Sequence, residues 1–508
     1  MITQPTPIQP GAAAAPDTAV TRPLYQDPTA AIPDRVADLL GRMTLAEKIG
    51  QMTLVEKNSI APDEVTRHAI GALLSGGGGF PADNSPAGWL RMIGDFKAAA
   101  VQTRLGIPLL YGVDAVHGHN NLRGAVIFPH NIGLGAAGDA DLVRRIARAT
   151  AVEMAASGTR WNYAPTVAVP QDLRWGRTYE GFGQDTAVVA ALGAAYVAGL
   201  QSPDLADPLA AIATAKHYVG DGGALWGTST MVFGPVAAAN IHTPTPFQID
   251  QGDTQLDEAT LRAVHLAPYA HAIAAGALVV MASFSSWNGQ RLHAHRYLLT
   301  DVLKGELGFA GFVVSDWAGL DTVHADSYQA TVLAINAGVD MNMVPMHYPR
   351  FMADLRRAAE CGDVPLARID DAVHRILTVK FRAGLFARPL VDDSHQALVG
   401  CRAHRELART AVSRSLVLLK NEAGALPLPK TLPRLHVAGR WAGDIGLQCG
   451  GWTIEWLGGS GAMTPGTTIL QAIRQTVGAG TEVAYAADGR FDTSADFGLL
   501  FLGEEPYA

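Results

Sequence analysis

Apolar and polar residues alternate along this chain on two different periods. From Asp34 to about residue 385, short apolar runs rich in β-branched residues are separated by longer stretches whose apolar positions recur every three or four residues. The runs are IGALLSG (70–76), IPLLYGVD (107–114), TRWNYAP (159–165), AAIATAKH (210–217), ALVVMAS (277–283), FVVSD (312–316) and GVDMNM (338–343). DEATLRAVHLAPYAHAIAAG (257–276) typifies the helical stretches between them. Ahead of the first run, RVADLLGRMTLAEKIGQM has helical spacing, and Thr44 with Glu47 forms a capping box. Repeated βα units predict a parallel sheet with helices outside. Seven or eight of them predict an α/β fold of the (β/α)₈ TIM-barrel type rather than an open sheet.

Outside this region the pattern changes. Residues 1–33 are rich in Pro, Ala and Thr without periodicity, which predicts a disordered N-terminal arm ahead of a barrel over 34–388. Residues 389–414 read as a linker, and AHRELARTAVSRSLVLLKN (403–421) as helical. A second βαβ-like pattern occupies 415–508: LHVAG (435–439), the helix GTTILQAIRQTV (466–477), TEVAYAA (481–487) and FGLLFLG (497–503). Three strands make a thin sheet with unpaired edges, so this α/β domain is expected to be incomplete, truncated at its C-terminus.

Composition narrows the function. Apolar residues are 48% and charged residues 17%, as in ordinary globular enzymes. The net charge, 39 − 47 = −8, offers no electrostatic pull toward nucleic acid or an anionic membrane and suits a neutral substrate better. Cys361, Cys401 and Cys449 lie far apart, without metal-site spacing. His117, His119 and His130 could be read as a metal cluster, but a structural role is preferred, and no cofactor is expected. SGGGGF (75–80) lacks the Lys and Ser/Thr of a phosphate loop and reads as a flexible turn. The first twenty residues have neither a basic start nor an apolar core, so no export signal is read from them and the compartment stays open. Oligomeric state is not legible.

Polar residues stand at the carboxyl ends of five runs: Asp114, His217, Ser283, Asp316 and Asp340. In a (β/α)₈ barrel those ends converge on one face, where catalysis is placed. Several of them sit in longer motifs: YGVDAVHGHNNLRGAVIFPHNIGLGA (111–136), DLRWGRTYEGFGQD (172–185), KHYVGDGG (216–223), MASFSSWNG (281–289) and FVVSDWAG (312–319). Further on come SLVLLKN (415–421), GGWTIEW (450–456) and GEEPYA (503–508). In this order they resemble the bacterial β-glucosidases and exo-1,3/1,4-β-glucanases of glycoside hydrolase family 3, over about residues 34 to 508.

The resemblance implies a retaining, exo-acting hydrolase of β-glucosides. Asp316 then matches the nucleophile and Glu504, within GEEPY, the general acid/base, since retaining glycoside cleavage needs two carboxyl groups. Asp114, Arg177, Lys216 and His217 resemble the residues holding the terminal sugar. Met281 and Phe284 match pocket-wall positions, and Trp317 and Trp456 the pair clamping the second sugar; Trp452 reads as a core residue or as part of that wall. The stretch 224–248 is longer than in relatives. It is expected to lie over the catalytic face, and it leaves the equivalence of Asp250 and Gln251 to substrate-contacting positions open. Ala155 replaces an arginine that plant members use. KHYVGDGGALWGTS lacks the Asp-x-His of the family's N-acetylglucosaminidases, so the β-glucoside reading is preferred. Two less favoured readings are a sugar-binding relative impaired by its truncated second domain and a Schiff-base aldolase using Lys216.

Overall fold

Eight short parallel strands organise the first part of the structure, a computed structural model that describes residues 22–230 and 247–508. They are β1 (Thr53–Glu56), β2 (Ala72–Ser75), β3 (Leu110–Val113), β4 (Trp161–Asn162), β5 (Ile212–Tyr218), β6 (Val279–Ala282), β7 (Phe312–Val314) and β8 (Asn342–Met343). The order is β7-β6-β5-β4-β3-β2-β1-β8, and a parallel bridge from Val314 to Met341 closes the ring. The expected barrel is therefore present. Six of its strands fall within the predicted apolar runs and β5 passes the end of its run by one residue; β1 has no predicted run. TLVE follows helix Leu45–Gln51 after one residue, so no turn separates the two periods in the sequence. All four residues of β1 are buried, and Glu56 is tolerated because its carboxylate accepts from the Asn58 backbone and side-chain amides. The capping box is formed: Thr44 Oγ1 accepts the Glu47 N–H, and Glu47 accepts the Thr44 N–H.

Three expectations change. The arm predicted over 1–33 falls partly outside the described residues. From Arg22 onward the chain packs, with Tyr25 buried and its hydroxyl donating to Leu105 O, and a helix beginning at Ile32. Asp340 does not join the catalytic face. It lies ahead of β8 and is fully buried against the helical layer, paired with Lys304 and Arg368 and accepting the Val313 N–H. A carboxylate that deep is tolerated only with such partners. The third concerns the helix predicted over 403–421, which spans Arg402–Ser415. Leu416–Leu419 leave it irregular and exposed, since four consecutive apolar residues cannot keep to one helical face.

The second domain is a parallel sheet of β9 (Arg434–Ala438), β10 (Glu482–Ala486) and β11 (Phe497–Leu500), ordered β10-β9-β11. Helix Ile469–Thr476 covers it, started by the Thr468–Gln471 capping box. Its small core gathers Leu432, Leu435, Val437, Ala442 and Leu470.

The amino end of the barrel is held by one buried cation. Lys380 Nζ donates to Gln51 Oε1 at 2.6 Å and to the carbonyls of Gly71 and Pro108 at 2.8 Å each, joining the approaches to β1, β2 and β3. Burial pulls its ammonium down to about 7. Lys380→Met is expected to leave these acceptors unsatisfied and to cost about 3 kcal/mol. Denaturant melts check this, and an unchanged midpoint would contradict it.

Candidate active site

Lys216 and His217 are neighbours on β5, and on a regular strand their side chains would face opposite ways. The pairing of β5 with β6 shifts register between Ala215 and Tyr218. Such an irregularity re-aims side chains, and both residues here serve the barrel mouth. Lys216 Nζ donates to Asp114 Oδ1, just beyond β3, at 2.7 Å. His217 Nε2 lies 3.6 Å from Asp316 Oδ2 and 3.3 Å from Arg177 Nη2.

Asp316 follows β7 in a tight turn. Its backbone N–H donates to His293 Nε2 at 3.0 Å, its Oδ1 accepts the Trp317 N–H at 2.7 Å, and its carbonyl accepts the Gly319 N–H. Gly319 is required here: a Cβ would lie 2.3 Å from His293 Nε2. Burial pushes the Asp316 carboxyl up to about 6, against the opposing pull of Arg177, the Trp317 N–H and Lys216. Arg177 forms a two-pronged pair with Glu180, at 2.8 Å on both contacts. Burial alone would raise Glu180, but the charge and hydrogen bonds of Arg177 override it and hold the carboxyl below its ordinary range.

The pocket around Asp316 is narrow and partly open to solvent, and Arg177, His217, Phe284, Ser283, Asp250 and Gln251 are among its walls. Asp250 Oδ1 accepts Trp175 Nε1–H at 2.8 Å. Residues 231–246 of the long 224–248 stretch lie outside the described residues. Its two ends are pinned together by Gly227 N–H to Gln248 O and Ser229 Oγ to Asp250 O, which places Asp250 and Gln251 at the pocket.

The second domain reaches the barrel mouth through 450–456. Asn120 donates to Trp452 O at 2.7 Å and its carbonyl accepts the Ile454 N–H, while Thr453 Oγ1 meets His117 Nε2 at 3.3 Å. His117 stacks on His130, their ring centroids 3.8 Å apart. Trp452 is buried with Lys216 Nζ 5.5 Å from its ring centroid, so it adjoins the site rather than only the core. Trp452 and Ile454 both adopt φ of 63°, a costly conformation for a β-branched residue such as Ile454. SGGGGF is not merely a flexible turn. A Cβ on Gly76 would meet the Trp317 ring at 2.9 Å, and one on Gly77 would meet Trp456 Cβ at 2.5 Å. Adjacent glycines thus seat the two tryptophans.

Of the expected site residues, Arg177, His217, Phe284 and Asp316 line this pocket; Asp114, Lys216, Trp317 and Trp456 are not among its walls, and neither are Met281 and Glu504. Met281 is buried within β6, paired with Val314, and does not line the pocket. Glu504 is exposed on the second domain and accepts Tyr507 O–H at 2.9 Å. The tail is docked close by, since Tyr179 O–H donates to Tyr507 O at 2.6 Å, but the Glu504 carboxyl does not line the pocket. Conversely, Trp175, Glu180, Asp221 and His293 do not stand out in the sequence as site residues. Glu180 and Asp221 each carry a usable signal: a carboxylate three or four residues after a candidate cation or imidazole.

The glycosyl hydrolase family 3 N-terminal domain matches residues 44–379 and the C-terminal domain of the same family matches 416–508. The lysosomal beta glucosidase of Dictyostelium discoideum is 32% identical over 478 residues, covering 87% of this chain and 55% of that protein. The chain thus spans little more than half of that relative's length. Among solved structures, an exo-1,3/1,4-beta-glucanase from a Pseudoalteromonas species is similar with a TM-score of 0.86 and 39% identity, over 96% of this chain and 61% of that one. The beta-glucosidase of Listeria innocua in complex with glucose is similar with a TM-score of 0.78 and 25% identity, over 93% and 64%.

Arg177→Met would strand Glu180 in the interior, at an expected cost of about 3–5 kcal/mol. The Arg177→Met/Glu180→Leu double variant should recover part of it. Denaturant melts of the four-member cycle measure the coupling, and additive losses would contradict the pairing.

Proposed function

The chain belongs to glycosyl hydrolase family 3, and from the geometry of its pocket we propose that it is a retaining, exo-acting β-glucosidase. In this reading it releases terminal non-reducing β-D-glucosyl residues through a covalent ester on Asp316. The observation that carries it is the largely enclosed Asp316 carboxyl, held by the Trp317 N–H within reach of Arg177 and His217. Attack on an anomeric carbon needs an ionised carboxylate, and a cation nearby favours that form. The Listeria relative's complex with glucose supports a glucosyl unit in the pocket.

Asp114, Lys216 and Arg177 supply ionic groups for sugar hydroxyls, Phe284 an apolar wall, and Trp317 with Trp456 aromatic faces for a second sugar. Glu504 is the acid/base by resemblance, and the docked Tyr507 keeps its segment near the mouth. One observation favours a second reading, sugar binding without turnover: the Glu504 carboxyl faces solvent. Binding of glucose or laminaribiose without hydrolysis of an aryl β-glucoside would establish it.

Trapping with a 2-fluoro-β-glucoside followed by peptide mass spectrometry is expected to place the label on Asp316; a label elsewhere overturns the assignment. Asp316→Asn should lower kcat by about 10⁴-fold or more. Because the nucleophile acts deprotonated and its carboxyl is raised to about 6, kcat/KM should climb with pH through about 6 and fall below it. An acid limb near the ordinary aspartate value would contradict this.

A further inference from the structure

Beside the nucleophile lies a buried pair of which only one member, His217, enters the reading just given. His217 Nδ1 is 2.9 Å from Asp221 Oδ2, and both side chains are almost wholly enclosed. The turn that brings them together is tightly built. Gly220 adopts a φ of 92°, Gly222 is pressed against the Val169 carbonyl where a Cβ would lie 2.6 Å away, and Gln171 N–H closes onto Gly222 O. The other oxygen of Asp221, Oδ1, accepts the Gly222 N–H at 3.0 Å. The carboxyl is thereby oriented with one oxygen on the backbone and one on the imidazole.

We propose that Asp221 is a positioning residue of the pocket, deciding which nitrogen of His217 carries the proton and hence what Nε2 presents to Asp316, Arg177 and a bound sugar. With Asp221 protonated, its O–H donates to Nδ1, and the ring proton sits on Nε2, facing Asp316 Oδ2. With Asp221 ionised, Nδ1–H donates to the carboxylate, and the bare Nε2 accepts from Arg177 Nη2 or from a sugar hydroxyl. One proton leaves the pocket between the two states, and the imidazole is neutral in both.

The surroundings suit such an exchange. Burial, then Arg177, Lys216 and His293, hold His217 well below its ordinary value, so the ring does not charge. Asp221 is raised by burial to about 7; Arg177 and the Gly222 N–H oppose this, and Asp250 and Glu180 reinforce it. Tyr269 is coupled to Asp221 from helix Ala267–Ala274, and His265 lies under the adjacent Gly223. Groups that orient a metal-bound imidazole change affinity or activity by about 10- to 100-fold when removed, and the same scale is taken for this metal-free ring.

The test rests partly on the glucosidase reading, so it pairs a spectroscopic readout with a kinetic one. In the unmodified protein carrying ¹⁵N-histidine, with His217→Gln identifying the resonances, the proton on His217 should move from Nε2 to Nδ1 between about pH 5.5 and 8.5. Asp221→Asn keeps the side-chain volume but cannot ionise. It should hold one tautomer throughout, lower kcat/KM for an aryl β-glucoside about tenfold or more, and flatten the pH dependence of KM. A His217 tautomer that never changes in the unmodified protein overturns the proposal without recourse to any variant. So does an Asp221→Asn protein that folds and titrates as the parent does. If no glucoside is hydrolysed but His217 still exchanges its proton, the glucosidase reading fails and the positioning role stands.

Discussion

Two cations stand at the mouth of this barrel, Lys216 buried and Arg177 largely enclosed, and each is tied to its own carboxylate: Lys216 to Asp114 and Arg177 to Glu180. Desolvated charges of this kind are tolerated only when paired, and the pairing dictates what surrounds them. β3 must end where β5 can reach it, and the turn carrying Arg177 must fold back on itself within three residues. Asp316 shares the field of both cations without a salt bridge to either. Burial therefore outweighs attraction, and its carboxyl rests at about 6 rather than in the usual aspartate range. Asp221, more deeply buried, moves higher still.

The second domain contributes to this environment through one loop. Residues 450–456 enter the mouth, hydrogen-bonded to Asn120 and His117, and bring the Trp452 ring toward Lys216. Two left-handed residues in so short a segment are costly, and surrounding contacts must over-determine them. The glycines after β2 accommodate the same loop from the other side. Catalytic face and second domain are thus one packed unit at this point, although the small core under β9 is separate.

The barrel itself is legible because its signal is repeated: apolar runs alternating with helical stretches leave few other architectures. β1 is hidden because a one-residue connection gives no punctuation between helix and strand. Asp340 is misplaced by pattern alone because an Asp inside an apolar run looks the same whether it faces the mouth or the helices. Glu504 is assigned from a local motif, and motifs do not specify where a side chain points. Glu180, Asp221 and His293 escape notice because their importance lies in the side chains they hold.

By itself, the sequence determined the βα alternation, the family, and the set of polar residues available at the strand ends, because periodicity and motif order are properties of the chain alone. Tertiary structure decided which of those residues meet. The register shift in β5 lets consecutive residues serve one barrel mouth, the ends of the 224–248 stretch set Asp250 beside it, and the turn at Gly220 folds Asp221 onto His217. Each depends on contacts between segments distant in sequence or on a local backbone departure. The ionisation of Asp316 and Asp221 depends on burial, which no stretch of sequence contains.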